Sequence, residues 1–429
     1  MLNFFYRLRI KIKANDFYKN IALVAGGNFA AKLIMILATP VVTRLYNPVD
    51  YGVYTVFISV VGITGSLATL RYSVTIPIAK EEKMADNLLK LCFFITFSLS
   101  LLWLLIVAIF GVRIADYYQS DNLRQFLWLI PLIFFGKGIY ETLNNWAIRN
   151  KGFKLITYTK ISQSMSSSII KIGFGIFKIA PLGLFIGQIA QEAAGITSIA
   201  SKLRKVRPLL FRNTSWEDIK SVAIRYKNFP LVQSWSQLLL ALGAQMPILL
   251  LGMFYDAKVV GVFGLAMSMI SLPMDLIGQS VAQVYYAEVS RFGKENAEKI
   301  YNLSISLMKK LFIIGLFPVG LLIALGPWIF KIVFGPEWAD SGLYASILSI
   351  MILTSFISSP IANIFNVYEE QKIQLLLNIV RVVLVILIFW VSSKLAFSPI
   401  YSIGLYSLCM TLYFGLMSLI VLRVVKKNI

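Results

Sequence analysis

Lys160, Ser164, Ser167 and Lys171 stand within the stretch 157–178, TYTKISQSMSSSIIKIGFGIFK. At 3.6 residues per turn they fall within about 60° of one another on a helix. One face is therefore cationic and hydroxylated, while Ile161, Met165, Ile169 and Ile172 lie elsewhere on the helix. The chemistry open to such a face is electrostatic: lysine holds phosphate as a point charge, and hydroxyls hydrogen-bond oxygen-rich ligands. A charge at membrane depth costs roughly 2.5–3.5 kcal/mol, so such residues usually face a bundle interior or a wet cavity. Snorkelling of the two lysines to opposite surfaces is the competing reading.

Other apolar runs carry charge as well. Lys32, Lys137, Glu141 and Glu192 fall inside them, Arg71 closes one, and Asp275 and Arg381 follow in the second half. Several share a face with polar neighbours: Asn28 with Lys32, then Lys137, Glu141 and Asn144 at i, i+4, i+7. Further stripes are Ser268, Ser271, Asp275 and Gln279; Gln233 and Gln237; Ser355, Ser359, Asn363 and Asn366; and Asn378 with Arg381. Interhelical hydrogen bonding accounts equally for the neutral members. It does not account for the first half's five cations (Lys32, Arg71, Lys137, Lys160, Lys171) against two carboxylates (Glu141, Glu192). Surplus cation in a low-dielectric cavity suits a multiply charged anion, and the hydroxyl and amide groups suit sugar. Substrate binding is thus expected of the five cations with Arg381, Asn28 and Asn144, and ion coupling of Glu192, Asp275 and Glu141.

The elements that must position these groups are membrane helices. The 429 residues are 58% hydrophobic, with a mean hydropathy of +0.75. Apolar runs of about 20 residues recur along the chain, which makes it an all-α polytopic membrane protein rather than a barrel. About twelve spans are expected. They lie near 20–42, 51–72, 88–111, 123–145, 157–178, 181–200, 229–252, 258–284, 303–326, 340–364, 373–394 and 399–422. Pro40, Pro77, Pro131, Pro247, Pro273, Pro318 and Pro360 lie within or beside them, as bends or as the ordinary proline of membrane helices. Residues 1–19 read as a basic, aromatic amphipathic segment on the cytoplasmic leaflet, with no cleavable signal.

The net charge of +21 follows first from the positive-inside rule, second from an anionic ligand or anionic membrane lipid, and not from nucleic acid. The expected outer loops hold only Arg44, Arg113, Arg124, Lys178, Lys258, Lys331 and Lys394, which places both termini in the cytoplasm. The chain has no histidine, and Cys92 and Cys409 read as small buried hydrophobes. No metal site, cofactor, P-loop or catalytic motif is expected, so the chain reads as a non-enzyme.

The sequence also repeats. YKNIALV at 18–24 returns as YKNFPLV at 226–232, and LYNPVDYGVYTVFIS at 45–59 as FYDAKVVGVFGLAMS at 254–268. Tyr46 then matches Tyr255, Gly52 matches Gly261, and Ser59 matches Ser268. Parallel repeats of six helices each are expected, with lobes 1–212 and 213–429 related by a pseudo-two-fold axis along the membrane normal and a site between them.

Thr43, Arg44, Leu45, Tyr46, Pro48, Tyr51 and Gly52, followed by Arg71 and Tyr72, resemble the opening helices of bacterial polysaccharide repeat-unit flippases. These are the O-antigen (Wzx-type) flippases of the multidrug/oligosaccharidyl-lipid/polysaccharide exporter superfamily. The resemblance extends to length, span count and duplication. It implies alternating-access transport of undecaprenyl-pyrophosphate-linked oligosaccharide across the bacterial inner membrane, driven by an ion gradient. It also implies the polymerase and chain-length machinery of the same pathway as partners. Peptidoglycan-precursor flippases usually carry fourteen spans and fit less well. Two other readings stay open: a multidrug and toxin extruder, in which carboxylates should outnumber lysines, and a non-transporting scaffold of polymer assembly.

Overall fold

The computed structural model describes residues 16–117, 121–208, 210 and 215–429. The expected amphipathic segment at 1–19 lies mostly outside them. Among the described residues every regular element is helical. Helices α1 (Asp16–Leu45) and α2 (Pro48–Gly65) are followed by a 3-10 turn at Tyr72–Thr75. Then come α3 (Glu82–Tyr117), α4 (Asp121–Leu127), α5 (Leu129–Arg149), α6 (Phe153–Ile176), α7 (Leu182–Ala193), α8 (Ile196–Val206) and α9 (Trp216–Arg225). A π-helical turn at Phe229–Gln233 leads into α10 (Ser234–Phe254) and α11 (Ala257–Phe292). The chain ends with α12 (Ala297–Phe334), α13 (Ala339–Ile361), α14 (Ile364–Val367), α15 (Gln371–Lys394) and α16 (Pro399–Lys426).

Among the described residues, ten segments are helical, long and apolar enough to cross a membrane, and the chain is an all-α polytopic membrane protein. The other two expected spans are present as helices of different character. Helix α6 has 24 residues, about 36 Å at 1.5 Å per residue, but its lysines and hydroxyls make it polar. The span expected at 181–200 is broken into α7 and α8 at Gly195, whose φ is +96°. A Cβ there would meet Thr159 Cβ at 2.6 Å, so both the backbone and the space demand glycine.

The span expected at 51–72 is also corrected. Helix α2 stops at Gly65, and Ser66, Leu67 and Ala68 close tight turns onto Ile63, Thr64 and Gly65. Leu70 and Arg71 then adopt φ of 45° and 60°. Arg71 therefore sits in a left-handed turn and does not end a helix. The irregular backbone is held inside protein, since Ala68 O accepts from Thr96 Oγ1 at 3.0 Å and Tyr72, Ile76 and Ala79 are buried in a core with Leu88, Leu143 and Trp146. Non-helical backbone at membrane depth requires such cover.

The chain forms two compact units. Unit 1 comprises the described part of Met1–Leu45 with Val60–Leu238, and unit 2 comprises Tyr46–Ser59 with Leu239–Ile429. In unit 1, α1 packs on α6, α6 on α7, and α5 on α3 and α7. In unit 2, α13 is central and packs on α11, α12 and α16.

Ion pairs at the helix ends establish the parity of the crossings. Arg149, at the end of α5, donates through Nη2 to Glu82 Oε1 at 3.0 Å at the start of α3. Arg207, just past α8, pairs with the same carboxylate and approaches Asp86 at 3.6 Å. Between Arg149 and Arg207 the chain therefore leaves and returns to one side, so α6 and the broken α7–α8 act as a pair of traversals. Lys90, the buried lysine that sequence reading passed over, belongs to this end of α3 and reaches Asn87 Oδ1 at 3.5 Å. In unit 2, Lys294 pairs with Glu369 at 3.0 Å and Tyr255 Oη donates to Phe397 O at 3.0 Å, again joining loops of equal parity.

Arg149 also donates through Nη1 to Ile76 O and Ala79 O, at 3.1 and 2.6 Å. Its side chain is 13% exposed, against 58% for Glu82. Arg149→Met strands both carbonyls and is expected to cost about 2 kcal/mol or more. Glu82→Gln removes only screened pairs and is expected to stay within about 1 kcal/mol. Thermal unfolding of the two purified variants should separate them in that order.

Candidate functional site

Lys137 and Glu141 are one turn apart on α5 and both meet the break after α2. The Lys137 stem lies over Gly65: a Cβ there would sit 2.6 Å from Cδ and 2.7 Å from Nζ. Glu141 Oε1 accepts from Ser73 Oγ at 2.6 Å and from Thr69 Oγ1 at 3.5 Å, and those two hydroxyls bond each other at 2.9 Å. Asn144, the third member of the stripe, has a buried Oδ1 with no hydrogen-bond donor among the described residues, and Arg71 Nε is likewise buried without an acceptor.

A second group joins α5, α6 and α7. Lys160 Nζ stands 4.8 Å from the centre of the Tyr140 ring, and Tyr140 Oη lies 3.0 Å from Thr159 Oγ1. The ring's negative face stabilises the ammonium. Glu192 acts electrostatically on both Lys160 and Tyr140, and its Oε1 accepts from Gln188 Nε2 at 3.1 Å. Ser164 and Ser167 are buried on the same helix. The Lys171 stem crosses α7 at Gly187, where a Cβ would lie 2.5 Å from its Cγ. Two of the charged side chains thus rest against glycines that leave room for a lysine stem.

Lys32 is half-buried on α1, and Asn28 is exposed. Helix α1 is locked to α6 by Thr157, which donates to Leu23 O at 3.0 Å and fills the space over Gly27.

In unit 2 the expected stripes meet. Ser271, Asp275 and Gln279 of α11, Ser355 and Ser359 of α13, and Arg381 of α15 line one cavity of about 320 Å³. Tyr406 and Phe414 of α16 complete it. The Arg381 guanidinium lies 5.5 Å from the Phe414 ring centre, and its Nε is buried with no acceptor among the described residues. Cys92 is buried and Cys409 half-buried, both as free thiols.

Residues 41–343 match the family described as polysaccharide biosynthesis protein. The chain belongs to that family. No curated protein matches it by sequence. Among solved structures it is similar to an inward-facing multidrug resistance MATE family transporter of the MOP superfamily. The TM-score is 0.69 at 16% identity, over 92% of this chain and 96% of that one. It is similar to the lipid II flippase MurJ in an inward closed conformation, with a TM-score of 0.69 at 15% identity, over 93% of this chain and 87% of that one. At such identities the likeness establishes the fold, that of membrane transporters.

The matched region of the chain includes Arg71, Lys137, Lys160, Lys171, Glu192 and Asp275, but not Lys32 or Arg381. Sequence reasoning missed Thr69, Ser73 and Tyr140. Thr69 was hidden by reading 51–72 as continuous helix, and Ser73 lies just beyond that span. Tyr140 lies three residues from Lys137 and one before Glu141, close enough to the polar stripe to have been included in it.

Proposed function

We propose that this protein is a flippase for undecaprenyl-pyrophosphate-linked oligosaccharide, moving repeat units to the outer leaflet by alternating access for O-antigen or another surface polysaccharide. The observation that carries the reading is the surplus of cations packed among the helices of unit 1, in a chain of a polysaccharide biosynthesis family. Lys137, Lys160 and Lys171 with Arg71 and Lys32 receive the pyrophosphate or acidic sugars, assisted by Asn28 and Asn144, and Arg381 binds substrate within unit 2. Glu141, Glu192 and Asp275 serve ion coupling. The lobes are 1–212 and 213–429. The site is the inner membrane, and the partners are anionic lipid and the polymerase and chain-length machinery.

The test is a deletion strain whose membrane lipids are examined by mass spectrometry. Complete repeat units should accumulate on the polyprenyl carrier, inaccessible from the periplasm, while surface polymer is lost. Fold likeness to a MATE family transporter favours a second reading, extrusion of organic cations. A strain that accumulates no glycolipid and becomes sensitive to cationic drugs would decide for it.

Orientation has its own test. Both termini are cytoplasmic in this reading, from the lysine and arginine placement. Cysteines replacing Lys151 or Lys294 should react with an impermeant maleimide only after permeabilisation, and cysteines replacing Lys258 or Lys394 in intact cells. The reverse pattern would invert the topology.

A further inference from the structure

We infer that α9 is an interfacial helix that docks anionic phospholipid of the cytoplasmic leaflet through Trp216, Lys220, Ile224 and Lys227, an inference that rests on the cytoplasmic placement of this loop. It gives the anionic lipid a place on the protein.

Depth is set by α3. Its 36 residues extend about 54 Å at 1.5 Å per residue, well beyond the ~30 Å of a hydrocarbon core. Its first turn is exposed and charged at Glu82 and Lys83, and Phe94 is its first exposed large hydrophobic side chain. Phe97, Leu101 and Leu105 continue that exposed stripe at spacings of three and four, the face a membrane helix turns to lipid. Trp216 stands edge-on to Phe94, with ring centres 5.4 Å apart. The first residue of α9 therefore lies where hydrocarbon gives way to headgroups, the level that tryptophan favours.

Trp216, Lys220 and Ile224 recur every four residues, so they share a flank of α9 about 80° wide. All three are exposed, and exposed Lys227 follows them, while Ile219 and Val222 bury the opposite side. The helix is moored in this position. Asp218 pairs with Lys83 at 2.9 Å, and Ala223 O accepts from Tyr72 Oη at 3.0 Å. An apolar pair beside the lipid-facing stripe of α3 is within reach of acyl chains and not of a soluble partner.

Charge selects the lipid. Lys202, Arg204, Lys205, Lys220, Arg225 and Lys227 are exposed, and none pairs with a carboxylate among the described residues. Arg207 is taken up by Glu82 and Asp86, and Asp218 by Lys83. Glu217 is left as the one exposed acid among the described residues of 196–228. Such a basic excess with apolar anchors is what an anionic leaflet holds.

The test is hydrogen–deuterium exchange of the purified full chain in nanodiscs. Amides of 216–228 should exchange about tenfold more slowly when phosphatidylglycerol is added to phosphatidylcholine, and high salt should remove the difference. Lys220→Gln should raise the phosphatidylglycerol fraction needed for half of that protection about fivefold, the weight of one basic residue at the surface. Lys220→Gln combined with Lys227→Gln should abolish the response, and Trp216→Gln should do likewise, with all variants unfolding in detergent within a few degrees of the parent. Equal protection in phosphatidylcholine alone, or a full response in the double variant, would overturn the inference. So would protection by inorganic phosphate without phosphatidylglycerol, which would make this a free-anion site. Nanodiscs present both leaflets alike, so a reversed maleimide pattern in cells would overturn the orientation and leave lipid binding by α9 measurable.

Discussion

Gly261→Ala is expected to collapse the yield of folded, monodisperse protein. A Cβ at Gly261 would stand 2.0 Å from Pro48 O and 2.9 Å from Gly52 N, and a Cβ at Gly52 would stand 1.7 Å from Ala257 O. These obstacles are backbone atoms, which cannot rotate away. The N-terminal half of α2 must then lift from α11, and the contacts around it go too. Thr55 fills the space over Gly264, and Tyr51 sits edge-on to Trp338 at 5.4 Å. Membrane helices associate through close packing of small residues, with little hydrophobic drive to compensate for a gap. Overpacking costs about 1–3 kcal/mol even where side chains can yield, and here they cannot. Gly404→Ala is the control, because nothing lies within 4 Å of its Cβ position. It should be neutral or stabilising by up to about 1 kcal/mol. Equal thermal midpoints for the two variants would show that this crossing does not hold unit 2 together.

The glycine pair was visible beforehand as a repeat, though not as a contact. The matched segments pair Tyr46 with Tyr255, and the next residue in each caps a helix. Asn47 Oδ1 accepts from Asp50 N, and Asp256 Oδ1 from Val259 N, both at 2.8 Å. Capping is local chemistry, and local chemistry is what a sequence displays. The polar stripes were legible for the same reason, since a spacing of four residues fixes a helix face before any neighbour is known. Ser271, Asp275 and Gln279 accordingly met Ser355, Ser359 and Arg381 at one cavity. The break after Gly65 was not legible. Leu70 and Arg71 take positive φ without being glycine or asparagine, and what holds them there is burial against α3 and α5, a tertiary fact. Pairing of Lys160 with Tyr140 was hidden likewise, because it depends on where α5 and α6 meet.

Lys137→Ala is expected to reduce surface polymer at least tenfold while the protein still inserts and folds. The two requirements separate because of where the residue lies. Its stem covers Gly65, the last residue of α2, so alanine leaves a small gap there and costs stability modestly. Its charge has a larger role in the proposed mechanism. Glu141, one turn away, is already satisfied by Ser73 and Thr69. In the proposed mechanism the Lys137 ammonium meets the anionic cargo. Lys137→Arg tests geometry: the charge remains, but a larger planar head must fit over the break, so intermediate polymer is expected. Glu141→Gln tests the neighbour. It retains an acceptor for Ser73 and removes the negative charge, so folding should survive. If Glu141 couples an ion, transport should fall with glycolipid binding intact. Polymer would be scored by immunoblot of whole cells, and insertion by membrane abundance of the tagged chain. Normal polymer in Lys137→Ala would remove that residue from the mechanism. Loss of polymer together with loss of the chain from the membrane would mark Lys137 as a packing residue, and the anion would then have to be met by Lys32, Arg71, Lys160 and Lys171.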